Sequence, residues 1–99
     1  MDRRRKHIDP EIERELRIRF YEDIKAGKLP VPEAVREMRR LSRLTQPEFA
    51  KHRGVSFGAL KQIEAGDGNP TIATLQKIGT IFGLEVGFVL KPTTINKKT

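Results

Sequence analysis

The chain has 99 residues, and its 20 Lys and Arg against 13 Asp and Glu leave a formal net charge of +7. This length predicts one compact domain with a short appendage, and the positive charge predicts a polyanionic partner. The absence of cysteine excludes disulfides and cysteine-based metal sites, and His7 and His52 are too few for a recognisable ligand set. We therefore expect no metal or cofactor. No apolar run is long enough to span a bilayer or to form a signal sequence after the basic residues 3–6, so we expect a cytoplasmic protein.

The first predicted element is a helix over residues 10–26. Asp9 followed by Pro10 suits an N-cap and a first helical position, and Gly27 ends the segment. Apolar residues recur every four positions along it, namely Ile8, Ile12, Leu16, Phe20 and Ile24. We expect this stripe to pack on the domain, while a wider dimer interface and a docking site for a protein partner are the alternatives. The basic residues 3–6 either enter a minor groove or stay disordered.

A second helix is predicted after a stiff connector formed by residues 29–32, Leu-Pro-Val-Pro. One side of this helix is apolar and carries Val35, Met38, Leu41 and Leu44. Its other surface is strongly positive and carries Arg36, Arg39, Arg40 and Arg43. The second helix is therefore amphipathic and basic, a surface that suits a polyanion.

Two short helices are predicted on either side of Gly54. The first begins at residues 45–48, Thr-Gln-Pro-Glu, which have the form of a capping box with proline in the first turn. Gly54 suits the left-handed conformation in which helices often end, and Ser56 is the next N-cap. The helix after Ser56 directs Leu60 and Ile63 inward and ends at Gly66.

The last predicted helix is capped by Thr71 and ends at Gly83, with an apolar face that carries Ile72, Leu75, Ile78 and Phe82. The apolar period then changes to two, with Leu84, Val86, Phe88 and Leu90 on one face. This alternation predicts a half-buried strand over residues 85–90, closed by Pro92.

Helices meeting at Gly54 and held by apolar residues satisfy the geometry of a helix-turn-helix. Over roughly residues 34 to 84 the chain resembles Cro/C1-type regulators, through Leu-Thr-Gln-Pro-Glu-Phe-Ala at 44–50, Gly-Val-Ser at 54–56, Ile-Glu-Ala-Gly at 63–66 and Asn-Pro-Thr at 69–71. The strand further resembles that of HipB-like antitoxins, where it pairs with its twin in a dimer. The resemblance implies a mainly α, lambda-repressor-like domain at residues 29–84, with an arm and extra helix at 1–28 and a dimerisation strand and basic tail at 85–99.

The resemblance also implies the residues that contact DNA. Gln46 matches a phosphate-contacting position, with Thr45 beside it, and the outward face of the recognition helix matches Ser56, Phe57, Gly58, Lys61 and Gln62. Chemically, Gln62 can pair with adenine, Lys61 can reach guanine or phosphate, and Phe57 can lie against a thymine methyl. Burial of Phe57 on the domain, and a Gly58 that is merely tolerated, are the alternatives. Weaker candidates for phosphate contact are Arg40, Arg43 and Lys51.

Two further residue sets have structural roles by the same resemblance. Arg39 and Glu64 match a partly buried salt bridge that links the helix before the motif to the end of the recognition helix. Val86, Phe88 and Leu90 form the face of the strand that is expected to pair across a dimer. The alternative is a strand that pairs within the monomer, although the sequence offers no second strand for it.

The implied function is that of a non-enzymatic, sequence-specific repressor that binds palindromic double-stranded operator DNA as a homodimer in the nucleoid. In the antitoxin interpretation it represses its own operon and also binds a HipA-like kinase toxin. Alternatives are a free-standing phage-type or metabolic repressor without a toxin, and a protein-interaction module. An enzyme is disfavoured because the sequence has no paired-carboxylate, Ser/His/Asp or Gly-rich phosphate-loop pattern.

Overall fold

The computed structural model describes residues 9–91, and within them the chain is helical without any strand. The elements, in chain order, are α1 (Pro10–Lys25), α2 (Val31–Ser42), α3 (Gln46–Arg53), α4 (Phe57–Ala65), α5 (Ile72–Gly79) and a 3-10 helix (Thr80–Phe82). The mainly helical fold expected from the sequence is confirmed. The predicted basic arm, Ile8 and the tail that follows Lys91 lie outside the described residues.

Side-chain caps determine where the helices begin. The carboxylate of Asp9 accepts a hydrogen bond from the Glu11 amide at 2.9 Å, and Pro10 takes up the first helical position of α1. The Thr45 hydroxyl accepts from the Glu48 amide, and the Glu48 carboxylate accepts in return from the Thr45 amide at 2.9 Å. The capping box predicted from residues 45–48 is therefore confirmed, and it satisfies two amides that α3 itself cannot pair.

The second helix begins earlier than the sequence indicates. Val31 and Pro32 belong to the first turn of α2, so the predicted connector over residues 29–32 is wrong in its second half. Proline is compatible with a first helical turn because the amide that it lacks would have no partner there. At the other end, Arg43 adopts the left-handed conformation with φ 59°, which few residues other than glycine adopt. The basic helix thus ends at Ser42, so Arg43 and Leu44, which were predicted on it, lie just beyond its end.

A tight turn at Gly54 joins α3 to α4. Gly54 has φ 73°, and the amide that follows it, on Val55, donates to the Ala50 carbonyl at 3.0 Å. A Cβ at this position would be strained whatever the surrounding space, which explains the glycine. The turn sets α4 across α2 and α3.

One hydrophobic core holds the helices together. Phe49, Leu60 and Ile78, from α3, α4 and α5, are its fully buried centre. Helix α1 reaches the same core through Phe20, whose ring lies 5.6 Å from that of Phe82 in an edge-to-face arrangement. The other buried apolar members are Ala34, Val35, Met38, Leu41, Ala50 and Ile63.

Only the second half of α1 packs against this core. The Tyr21 hydroxyl donates to the Phe82 carbonyl at 2.8 Å, and Ile24 is partly buried. By contrast, Ile12 and Leu16 are half exposed, so the expectation that the entire stripe packs on the domain is wrong for the first two turns. The helix extends beyond the short α2 against which it lies. Ile72, expected on the buried face of α5, is also exposed because it occupies the first position of that helix.

Residues 84–91 form no strand in the single chain. Leu84 is anchored, because its amide donates to the Gly79 carbonyl at 3.0 Å. Its side chain packs closely on Gly79, where an added Cβ would lie 3.3 Å from the Leu84 Cβ. Beyond it, within the described residues, the backbone makes no ladder, and Phe88 is 106% exposed. The predicted strand is therefore absent from the monomer, since a strand requires a neighbouring strand to pair its backbone.

Candidate nucleic-acid interface

Helix α4 is amphipathic along its nine residues. Ser56 caps it, with its hydroxyl accepting from the Ala59 amide at 3.0 Å, and Gly66 ends it in a left-handed conformation. Leu60, Ile63 and Glu64 are buried on its inner side. The five residues predicted on the outward face of the recognition helix are exposed, namely Ser56, Phe57, Gly58, Lys61 and Gln62. The outward face of α4 is defined here as these five residues.

The side chains of this face contact one another and the following loop. Phe57 is 45% exposed, and the Lys61 ammonium lies 5.3 Å from the centre of its ring, so Phe57 is not folded into the core. The Gln62 side-chain amide packs against Gly68, so closely that a Cβ added at Gly68 would lie 2.8 Å from Gln62 Oε1. At Gly58 an added Cβ would meet nothing within 4 Å. The face therefore presents an aromatic ring, an ammonium and an amide beside a patch of bare backbone.

Behind the outward face, a charged network joins α2, α3 and α4. The Arg39 guanidinium binds Glu64 in a bidentate manner, with Nε to Oε2 at 2.8 Å and Nη2 to Oε1 at 3.0 Å. The Gln46 side-chain amide donates to the same Oε1 at 3.0 Å. Arg36 donates to the Glu64 carbonyl near the C-terminus of α4. Four hydrogen bonds therefore fix the end of α4 against its neighbours.

Glu64 stays ionised in this environment although it is only 4% exposed. Burial on its own would raise the pKa of Glu64, but hydrogen bonds from Arg39 and Gln46, with the charges of Arg39 and Arg36, hold the pKa below its ordinary value. A buried carboxylate is tolerated when it is paired and hydrogen bonded in this way. The arrangement makes the position of α4 depend on one acidic side chain.

The remaining predicted phosphate contacts are distributed over α2 and α3. Gln46 is half buried and engaged with Glu64, a contact that the sequence did not indicate, although a carboxylate with several lone pairs accepts more than one donor. Thr45 is occupied as a cap. Arg40 pairs with Glu37 at 2.7 Å on the surface, Arg43 is half buried at the end of α2, and Lys51 is exposed on α3.

One buried polar residue was not predicted from the sequence. Arg53, at the end of α3, is 6% exposed and lies over the Phe49 ring at 4.3 Å. The spacing of Phe49, Ala50 and Arg53 on one side of a helix is the signal of burial that was available. The positive charge of Arg53 predicts a surface position instead.

Within residues 9–91 no group of three or more His, Cys, Asp or Glu side chains is placed to hold a metal ion. In the same part of the chain, no helix has the length and apolar character needed to cross a bilayer.

The chain matches the model of a known protein family. The family model HTH_3, helix-turn-helix, matches residues 35–89, which include α2 from Val35 onward, α3, α4, α5 and most of the irregular segment that follows. Helix α1 lies outside the matched region. Neither a curated relative nor a solved structure matches the chain.

Proposed function

This chain belongs to the HTH_3 helix-turn-helix family of DNA-binding transcription regulators, and from that premise we propose that it is a dimeric repressor that reads a palindromic operator with α4. The observation that carries the proposal is the outward face of α4, where Phe57, Lys61 and Gln62 are exposed on a helix whose other side is buried. Lys61 and Gln62 have the hydrogen-bonding groups that distinguish guanine and adenine in the major groove, and Phe57 offers an apolar contact for thymine.

The open surface at Gly58 supports a close approach of the DNA to this helix. Among the described residues, no atom outside the adjoining helix backbone and chain neighbours lies within 4 Å of an added Cβ there, which leaves room for a sugar-phosphate strand in front of α4. Around the helix, Lys51 and Arg43 contribute positive charge to a chain whose net charge is +7. Such charge strengthens binding to any duplex, whereas the α4 side chains discriminate between sequences.

The segment beyond Leu84 supports the dimer. Phe88 is fully exposed, Val89 and Leu90 are mostly exposed, and Val86 borders an apolar groove of about 200 Å³ beside α2 and α5. Exposed apolar side chains on a segment outside any helix or strand of the described residues favour pairing with the same segment of a second chain. A two-fold dimer would bring two copies of α4 to half-sites about one helical turn of DNA apart.

We expect Phe88→Asp to convert the dimer into a monomer and to weaken operator binding by about 100-fold, because a single α4 makes only half of the base contacts. Phe88 touches no core residue, so the variant should keep its fold. Ile72→Asp, which changes an equally apolar exposed residue on α5, is the matched control. Sedimentation velocity and operator titration measure the two effects. A Phe88→Asp protein that still sediments as a dimer would show that the segment does not join the subunits.

The proposal further includes an antitoxin role. It is supported by the likeness of the C-terminal segment to HipB-like antitoxins and by the half-exposed Ile12 and Leu16 of α1, which leave an apolar surface available for a HipA-like kinase. We expect the tagged protein, purified from its native cells, to carry a kinase-like partner in equal amount. Recovery of the homodimer alone would instead support the free-standing repressor, which has no toxin to bind.

A further inference from the structure

A cationic pocket lies on a different part of the molecule from the outward face of α4. It opens between α1, the C-terminal ends of α2 and α3, and the 3-10 helix, and its volume is about 340 Å³. Two arginines, Arg17 and Arg53, line it together with His52, and no carboxylate of the described residues does so. The apolar part of the wall comes from Leu44, Ile81 and Phe82. The pocket thus combines concentrated positive charge with an apolar surface.

Arg53 is the buried cation of this pocket. Its Nε donates to the Ile78 carbonyl at 3.2 Å, its Nη1 to His52 Nδ1 at 2.7 Å and its Nη2 to Ser42 Oγ at 3.5 Å. These partners are a backbone carbonyl, an imidazole nitrogen and a hydroxyl, and within residues 9–91 no acidic side chain contacts the guanidinium. Burial lowers the pKa of Arg53, as expected when no counter-charge compensates for lost hydration. An anion that reached the pocket would supply that counter-charge.

The second cation, Arg17, lies close to the same aromatic ring as Arg53. The guanidinium carbon of Arg17 is 5.6 Å from the centre of the Phe82 ring, and that of Arg53 is 5.9 Å from it. Arg17 is exposed whereas Arg53 is buried, so Arg17 lies at the mouth of the pocket and Arg53 at its base. Because a guanidinium only donates, His52 Nδ1 accepts the hydrogen bond from Arg53, which leaves Nε2 as the ring nitrogen that can donate to a ligand.

We propose that this pocket binds a small organic carboxylate. Guanidinium groups match a carboxylate in planarity and charge, and the pocket places one at its base and one at its mouth. The wall formed by Leu44, Ile81 and Phe82 would cover the hydrocarbon part of the same molecule. A volume of about 340 Å³ lies at the lower end of the range of ligand pockets, which limits the occupant to a small molecule.

The test compares two probes of the same shape at constant ionic strength. By calorimetric titration, benzoate should bind at least about tenfold more tightly than benzamide, because only the carboxylate forms charge-assisted hydrogen bonds with arginine. In amide NMR spectra, benzoate should shift the signals of residues around Arg53 and Ile81. Equal affinities for the two probes would overturn the proposal, and so would inorganic phosphate binding as tightly as benzoate.

A substitution of Arg17, at the mouth of the pocket, tests the same proposal independently. Arg17→Gln should weaken benzoate binding by about tenfold, since one charge-assisted contact is lost and Arg17 is exposed enough for the fold to remain intact. Arg14→Gln removes the same charge from α1 at a residue that does not line the pocket, and it should leave the affinity unchanged. Equal losses in the two variants would indicate a general charge effect and would contradict a site at Arg17.

Discussion

Glu64→Gln is expected to lower the free energy of unfolding by about 2 to 3 kcal/mol at neutral pH, because it leaves the Arg39 guanidinium without its carboxylate. Removing one partner of a fully buried pair costs more, but the Arg39 side chain keeps 21% of its exposure and can be partly hydrated. The Gln46 amide also loses its charged acceptor. Urea unfolding followed by circular dichroism measures the change.

The same substitution should alter the response to acid. The folded-state pKa of Glu64 is depressed, so its stabilising contribution is complete above its unfolded-state value of 4.5 and disappears as the pH falls through the lower folded-state pKa. The difference in stability between wild type and Glu64→Gln should therefore be constant above about pH 6 and should shrink below pH 4.5. A difference that stayed the same at acidic pH would show that the carboxylate charge is not its source.

Glu37→Gln is the matched control for this prediction. Glu37 also pairs with an arginine on α2, Arg40, at 2.7 Å, but both side chains are exposed. Pairs of this kind contribute about 0 to 1 kcal/mol, so Glu37→Gln should change stability little. If the two variants lost equal stability, the network around Glu64 would have no special role in fixing α4.

The second large effect is expected at the outward face of α4. Replacing Lys61 and Gln62 together with alanine should weaken binding to the cognate operator by about 100-fold or more, because each bidentate base contact contributes about 1 to 3 kcal/mol. Both side chains are exposed and alanine favours helix, so the variant should remain folded. Fluorescence anisotropy with a duplex selected from a random library measures the affinity.

Helix α5 provides a control of the same composition. Gln76 and Lys77 are adjacent and exposed, and their replacement by alanine removes the same charge and the same amide. The Lys77 ammonium donates to the Gly54 carbonyl at 3.4 Å and has no other hydrogen-bond partner among the described residues. The Gln76/Lys77 variant should therefore show a small loss of affinity that is equal for all duplexes. A loss as large as that of the Lys61/Gln62 variant would mean that total charge, rather than α4, governs binding.

Local chemistry allowed much of this fold to be predicted. Asp9, Thr45, Ser56 and Thr71 each cap the helix expected from them, because a short polar side chain beside unpaired amides has few better partners. The glycine turn and the buried pair Leu60 and Ile63 follow from spacing in the same direct way. The exposed face of α4 is then what remains once the buried side is assigned.

Features that depend on distant contacts were harder to predict. Val31 and Pro32 join α2 although two prolines suggested a connector, since proline at a helix start and proline in a linker look alike in sequence. Ile12 and Leu16 continue the periodicity of Phe20, yet the domain ends before it reaches them. The burial of Arg53 depends on the Phe49 and Phe82 rings that cover it, and the second ring comes from residues far along the chain.

Discrimination between operator and scrambled duplex tests the assignment of α4 most directly. For the wild-type protein the ratio of the two affinities should be about 1,000 or more, and the Lys61/Gln62 double variant should reduce it to about 10. The Gln76/Lys77 variant should leave the ratio unchanged. If the Lys61/Gln62 protein stayed folded and dimeric and kept the wild-type ratio, the bases would be read by another part of the molecule.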